Sequence, residues 1–172
     1  MWALVLVPVA VVAGVVSFLV WRAPAKHTAQ MSAVIPASPE AVWASIADVG
    51  AQKHWRGLKA LSRVGQRLEE TDASGDVLAM VIEVEDPPRK RVTRIVDNRS
   101  FGGTWTWTLS PDPGGTKVEI VEDGEIYDRV FRVLAPLFYD NEATMRGVLT
   151  GLAAHHAING AATPAPSTES ES

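Results

Sequence analysis

Residues Trp2 to Trp21 read WALVLVPVAVVAGVVSFLVW, and no residue in the run carries a charge. As a helix rising about 1.5 Å per residue the run is roughly 30 Å long, the thickness of a bilayer's hydrocarbon core. Pro8 and Gly14 are tolerated in such a span, and a tryptophan at either end suits the water–lipid interface, where an apolar ring with one polar N–H is at home. A cleaved signal peptide is the competing reading, since Ala23-Pro24-Ala25 resembles an A-x-A processing site. The run is longer than the usual 7–15-residue apolar region of a signal, however, and lacks a basic segment before it. Residues 1–22 are therefore expected to be an uncleaved transmembrane anchor. Arg22 and Lys26 follow the apolar run, and by the positive-inside rule they place the rest of the chain in the cytoplasm, as a single-pass membrane protein.

The rest of the 172-residue chain is enough for one domain with a real core or an internal cavity. It contains no cysteine, which removes disulfides, thiolate metal sites and cysteine nucleophiles. The formal net charge of −4, without a basic run, argues against a nucleic-acid partner. No internal repeat is visible.

Residues 23–30 read as a polar linker and residues 160–172 (GAATPAPSTESES) as a disordered tail, too poor in apolar groups to order itself. Between them lies a domain over residues 31–159. Met31–Ile35 reads as a short strand. Ser38-Pro39-Glu40 reads as a helix start, with Ser as N-cap, Pro at the first helical position and Glu near the positive end of the dipole. Val42, Trp43 and Ile46 lie on one side of that helix, and residues 49–55 add a second short one. From Leu58 the pattern changes to strands separated by turns: 58–68, 77–85, 91–97, 103–110 and 116–123, with turn compositions such as Asp72-Ala73-Ser74-Gly75-Asp76 and Pro111-Asp112-Pro113-Gly114-Gly115 between them. Such short connections imply a curved antiparallel sheet, because parallel crossovers have no room. The last third returns to helical periodicity. A short apolar segment, 130–135, is interrupted by Pro136, and a long helix then carries Phe138, Met145, Val148, Leu149, Leu152 and His156 toward the sheet.

The strings IPASPEAVWASIADVGAQKHW, EDPPRKRVTRIVD, FGGTWTWTLSP and GGTKVEIVEDGEI, followed by the closing helix, resemble the START/SRPBCC superfamily in its polyketide cyclase/dehydrase branch. The resemblance covers roughly residues 31–157. It implies an α+β helix-grip fold, in which a curved antiparallel sheet wraps a long C-terminal helix and leaves an apolar cavity. It also implies a partner that is a hydrophobic small molecule or a lipid. Fold does not determine chemistry, so the reaction, if there is one, is not implied.

Strand parity nominates the residues facing that cavity. Trp105, Trp107 and Leu109 share one face of their strand, and the intervening threonines share the other. Val118, Ile120 and Glu122 share a face, and so do Val92, Arg94 and Val96. This puts Glu122 and Arg94 inside as a pair, since either charge buried alone would be strongly penalised. Trp105, Trp107, Arg94, Glu122, Met145 and Leu149 are thus the candidate cavity residues. The bland alternatives are core filler for the tryptophans and a structural ion pair for Arg94 and Glu122. His155 and His156 are adjacent on a helix and diverge by about 100°, so they do not share a metal; His54 precedes Trp55. No Ser-His-Asp, HExxH, P-loop or GxGxxG arrangement is present.

Three functions remain open. The first is a membrane-anchored binding module, expected to be monomeric, that holds a hydrophobic molecule and uses no cofactor or metal. The second is a cyclase, dehydratase or hydrolase drawing on Glu122, Arg94, His54 or Tyr127, and the third is an interaction domain with a filled core.

Overall fold

The computed structural model describes residues 21–138 and 140–161, together with Gly14 and Phe18. Most of the Trp2–Trp21 run and the tail from residue 162 lie outside the described residues, and among those described no helix is long and apolar enough to cross a membrane. The chain runs β1 (Lys26–Ile35), α1 (Pro39–Ala47), α2 (Val49–Trp55), β2 (Ala60–Val64), β3 (Arg67–Thr71), β4 (Val77–Asp86), β5 (Lys90–Val96), β6 (Phe101–Asp112), β7 (Gly115–Ile126), α3 (Arg129–Phe138) and α4 (Asn141–Ala161).

The strands form one seven-stranded antiparallel sheet in the order β1-β7-β6-β5-β4-β3-β2. Strands β2 to β7 are a meander in which each hairpin pairs neighbours, and β1 returns to pair with β7 from Lys26↔Glu125 to Ile35↔Thr116. β1 starts five residues before the expected Met31, inside the segment read as a linker. The early part of the strand half-buries only His27 and Ala29, so it lacks the hydrophobic signal of a strand, yet β7 pairs with it throughout. The stretch 58–68 is also not one strand but parts of two. Gly65, at φ +60, takes the first loop position of a two-residue hairpin, a conformation that a side chain resists.

Local chemistry starts the helices as expected. Ser38 caps α1 by accepting from the Ala41 N–H at 3.3 Å, and Asp48 caps α2 by accepting from the Ala51 N–H at 2.6 Å. Pro136 does not end α3, so Phe138 belongs to that helix rather than to the long one. α4 buries Met145, Val148, Leu149 and Leu152 against β1, β6 and β7, where Ile35, Trp107, Leu109, Val118 and Ile120 meet Val42, Trp43 and Ile46 of α1. Each of these large side chains contributes about 1.5–3 kcal/mol when withdrawn from water. This is the helix-grip arrangement, an α+β fold with its core at one end of the grip.

α4 reaches that position only because Gly151 lacks a side chain, as a Cβ there would stand 2.5 Å from the Trp55 carbonyl oxygen at the end of α2. Gly147, one turn earlier, has open space. Gly147→Ala is therefore expected to stabilise the domain by about 0.5–1 kcal/mol, the ordinary gain in a helix interior. Gly151→Ala should lose about 1–3 kcal/mol through overpacking, and denaturant melts of the two variants will show the opposite signs.

Candidate functional site

Beyond the filled core, the inward-facing row of the sheet changes character. On β6 it runs Leu109, Trp107, Trp105, Gly103, Phe101, and on β7 Val118, Ile120, Glu122, Gly124, Ile126, each residue directly opposite its counterpart. The bulky pairs are interrupted where Gly103 faces Gly124, and at this end of the sheet lies a cavity of about 410 Å³. Ile95 of β5, Phe101 of β6, Ile126 of β7 and Phe131 and Ala135 of α3 make its apolar wall, while Pro24, Lys26 and His27 border it from the start of β1. α3 closes one side. Its N-terminus is capped by Asp128, which accepts from the Phe131 N–H at 2.7 Å, and Arg132 pins it by donating to the Ile126 carbonyl at 2.7 Å and to that of Tyr127 at 3.3 Å.

Glu122 supplies the wall with a charge. One carboxylate oxygen accepts from the Trp105 indole N–H at 2.9 Å and the other lies 3.3 Å from Nε2 of His27. The Glu122 side chain is 17% exposed, which leaves it a part-buried carboxylate at the floor of a mostly apolar space. His27 fits there because its β7 partner is Gly124, where a Cβ would stand 2.2 Å from the imidazole ring. Lys26, Glu125 and Arg132 complete the polar lining. Chemically, the arrangement presents a carboxylate–imidazole pair able to hold a polar group or move a proton, beside surfaces that suit a hydrocarbon body. Among the described residues no group of His, Asp and Glu side chains is arranged to hold a metal.

The residues nominated from the sequence fall in different places. Trp105 and Glu122 meet, as parity predicts, and Glu122 lines the cavity. Trp107, Met145 and Leu149 face inward but belong to the packed core. Arg94 does not pair with Glu122: it lies on the outer face, exposed and bonded to Glu83. β5 has apolar residues on both faces (Val92 and Val96, against Ile95), so alternation alone does not choose between them. The register does, because Arg91 stands opposite Trp107 and Thr93 opposite Trp105, which puts the odd-numbered residues inside.

The buried arginine is therefore Arg91, 2% exposed. It donates to Glu85 at 2.6 Å and to the Ile46 carbonyl at 2.6 Å. A bulge between Ile82 and Val84 shifts the register of β4 so that Glu85, rather than Val84, stands opposite Arg91. Arg63 shares the same carboxylate at 2.7 Å. Its hydrogen bond, more than any other contact, holds Glu85 below the usual carboxylate range, whereas burial pushes the Arg91 guanidinium below its ordinary value. These charges brace the sheet beneath α1 and do not line the cavity.

The remaining candidates are scattered. His54 is exposed on α2 beside a shallow open depression, and the Tyr127 hydroxyl covers Gly102, where a Cβ would stand 2.1 Å from it. His156 is buried in the face of α4, where burial and the neighbouring His155 push its imidazole below the ordinary value. Sequence reasoning missed His27, Phe131 and Arg132. His27 was detectable by running the alternation Ile35, Ala33, Met31, Ala29 backwards two more residues.

The sequence profile of the family described as polyketide cyclase/dehydrase and lipid transport matches residues 26–157. The chain belongs to this family. No curated protein matches the sequence. Among solved structures, a START superfamily protein from Mycobacterium smegmatis is 15% identical with a TM-score of 0.61, covering 77% of this chain and 99% of that one. A Rhizobium loti protein is 25% identical with a TM-score of 0.59, over 76% and 96% of the two chains. The di-domain ARO/CYC protein StfQ of the steffimycin biosynthetic pathway is 14% identical with a TM-score of 0.62, and 79% of this chain matches 52% of that one. At the lower identities the likeness is one of fold. Family and fold together describe a ligand-binding or cyclase-like SRPBCC domain.

The buried Arg91–Glu85 pair and the exposed Arg94–Glu83 pair of this polyketide cyclase/dehydrase-family domain predict unequal responses to truncation. Glu85→Ala removes the carboxylate from a guanidinium that is 2% exposed and should cost about 3–5 kcal/mol. Glu83→Ala breaks only the exposed pair with Arg94 and should stay within about 1 kcal/mol of the unmodified protein. Denaturant unfolding of both variants checks the assignment, and equal losses would restore Arg94 to the interior.

Proposed function

We propose that this domain is a binding module that holds an amphipathic small molecule or lipid, apolar along its body and polar at one end, in the cavity beside α3, and does so from a membrane-anchored position. The observation that carries the reading is the placing of the Glu122–His27 pair at the floor of a space walled by Ile95, Phe101, Ile126, Phe131 and Ala135. A volume of about 410 Å³ falls in the ordinary range of small-molecule sites, which combine apolar walls with a few fixed polar groups. The family description, with its lipid transport and polyketide chemistry, agrees with an apolar ligand body. Anchoring is supported by the uncharged run Trp2–Trp21, which ends three residues before Pro24 on the cavity rim, a reach of at most roughly 11 Å of extended chain.

A cyclase-like reading is favoured by one further feature, the imidazole of His27 set against a carboxylate. Such a pair takes a proton from an acidic C–H or O–H of a bound substrate, with Glu122 stabilising the resulting imidazolium. Turnover that disappears in His27→Gln while ligand binding persists would favour this over binding alone.

Full-length protein held in amphipol and titrated with dansyl-undecanoic acid should show saturable fluorescence enhancement. Ala135→Phe, which fills the cavity from α3, should weaken binding about tenfold or more, a loss of at least ~1.4 kcal/mol, without lowering the melting temperature. Absence of saturable binding by the unmodified protein would favour the filled-core interaction domain.

A further inference from the structure

We infer that α3 is a membrane-docking helix whose outward face rests in the bilayer interface, and that the apolar ligand reaches the cavity past it. The access route rests on the binding function proposed above, whereas the docking is read from the surface alone. α3 reads RVFRVLAPLF. Phe131 and Ala135 point to the cavity, and one turn apart on the outward side Val130 is 58% and Leu134 42% exposed. A helix lying on a soluble core normally turns polar residues to water. Here Arg129 is the exposed cation beside two exposed aliphatic side chains, the pattern of a helix lying in a lipid interface. Tyr127, 48% exposed, precedes the helix. Val34, Val64, Val77, Val84 and Ile158, also exposed, sit on other elements.

Continuity with the N-terminal run identifies the bilayer as the occupant. The Ala25 carbonyl accepts from the Ile126 N–H at 2.8 Å, and the Ile126 carbonyl accepts from Arg132 of α3 at 2.7 Å. Two hydrogen bonds therefore join the middle of α3 to a point four residues after Trp21, the end of the uncharged run. Phe18 and Trp21 are themselves 56% and 72% exposed, with Arg22 beside them. If the run lies in a membrane, the face bearing Val130 and Leu134 is held within reach of the same surface, and the cavity lies behind it.

The chain has no cysteine, so single Val130→Cys, Leu134→Cys and Val64→Cys variants of the full-length protein can each carry one NBD fluorophore. In phosphatidylcholine vesicles containing doxyl-labelled lipid, the labels at 130 and 134 should be blue-shifted and quenched several-fold, and the label at 64, on the β2–β3 hairpin, should not. Labels at all three positions behaving alike would overturn the docking. So would blue-shifted labels at 130 and 134 that the doxyl lipid fails to quench, which would show the N-terminal run of this chain covering the helix. In a second measurement, the Val130→Asp/Leu134→Asp variant should load dansyl-undecanoic acid from vesicles several-fold more slowly while reaching the same final occupancy. Quenching at 130 and 134 without uptake of the probe would sustain the docking and remove the binding reading. Uptake without quenching would do the reverse.

Discussion

The pairing of β6 with β7, unbroken from Phe101↔Ile126 to Asp112↔Gly115, decides what the interior of this protein contains. Side chains directly opposite on adjacent antiparallel strands share a face, so one register assigns every inward residue at once. It stacks Leu109 and Trp107 on Val118 and Ile120 beneath α4, then sets Trp105 against Glu122, and then leaves Gly103 against Gly124. A slip of one residue would put Glu122 and the two tryptophans on opposite faces of the sheet. The same register, carried through β5, turns Arg91 inward and Arg94 outward.

The grip is thereby divided. One end is packed as a core, with Ile35, Ile120, Met145 and Leu152 fully withdrawn from water. The other end keeps a cavity, walled by Ile95, Phe101, Ile126, Phe131 and Ala135, and there the imidazole of His27 lies over Gly124, which has no side chain to displace it. Charge is treated differently at the two locations. Under α1, Arg91 and Arg63 share the Glu85 carboxylate and Arg91 also donates to a backbone carbonyl, a network with a bracing role. At the cavity, Glu122 accepts from the Trp105 indole and meets the His27 ring while lining a space large enough for a ligand.

Much of this was legible in the residues. The N-cap at Ser38, the meander of short strands and the buried stripe of α4 follow from capping chemistry, turn composition and helical spacing, and the structure reproduces them. The inward faces of β6 and β7 were legible too, because Trp-Thr-Trp and Val-Glu-Ile alternate cleanly. β5 was not, since V-T-R-I-V offers an apolar residue on each face and only its pairing with β6 resolves them. The bulge that brings Glu85 to Arg91 leaves no mark in the sequence of β4. The site was half legible: Glu122 and Trp105 were found by parity, whereas His27 hid in a strand segment whose inward residues are small or polar. Tertiary pairing, not local propensity, makes that segment a strand.

The central claim is that an apolar molecule occupies the glycine-bordered end of the grip and not its core. Isotope-filtered NOE measurements between methyl-labelled protein and unlabelled dansyl-undecanoic acid test it most directly. Cross-peaks from the ligand's alkyl chain should reach the methyls of Ile95, Ile126 and Ala135 and leave those of Ile120 and Leu149 untouched. Cross-peaks confined to Ile120 and Leu149, or a bound ligand that contacts neither set, would contradict it.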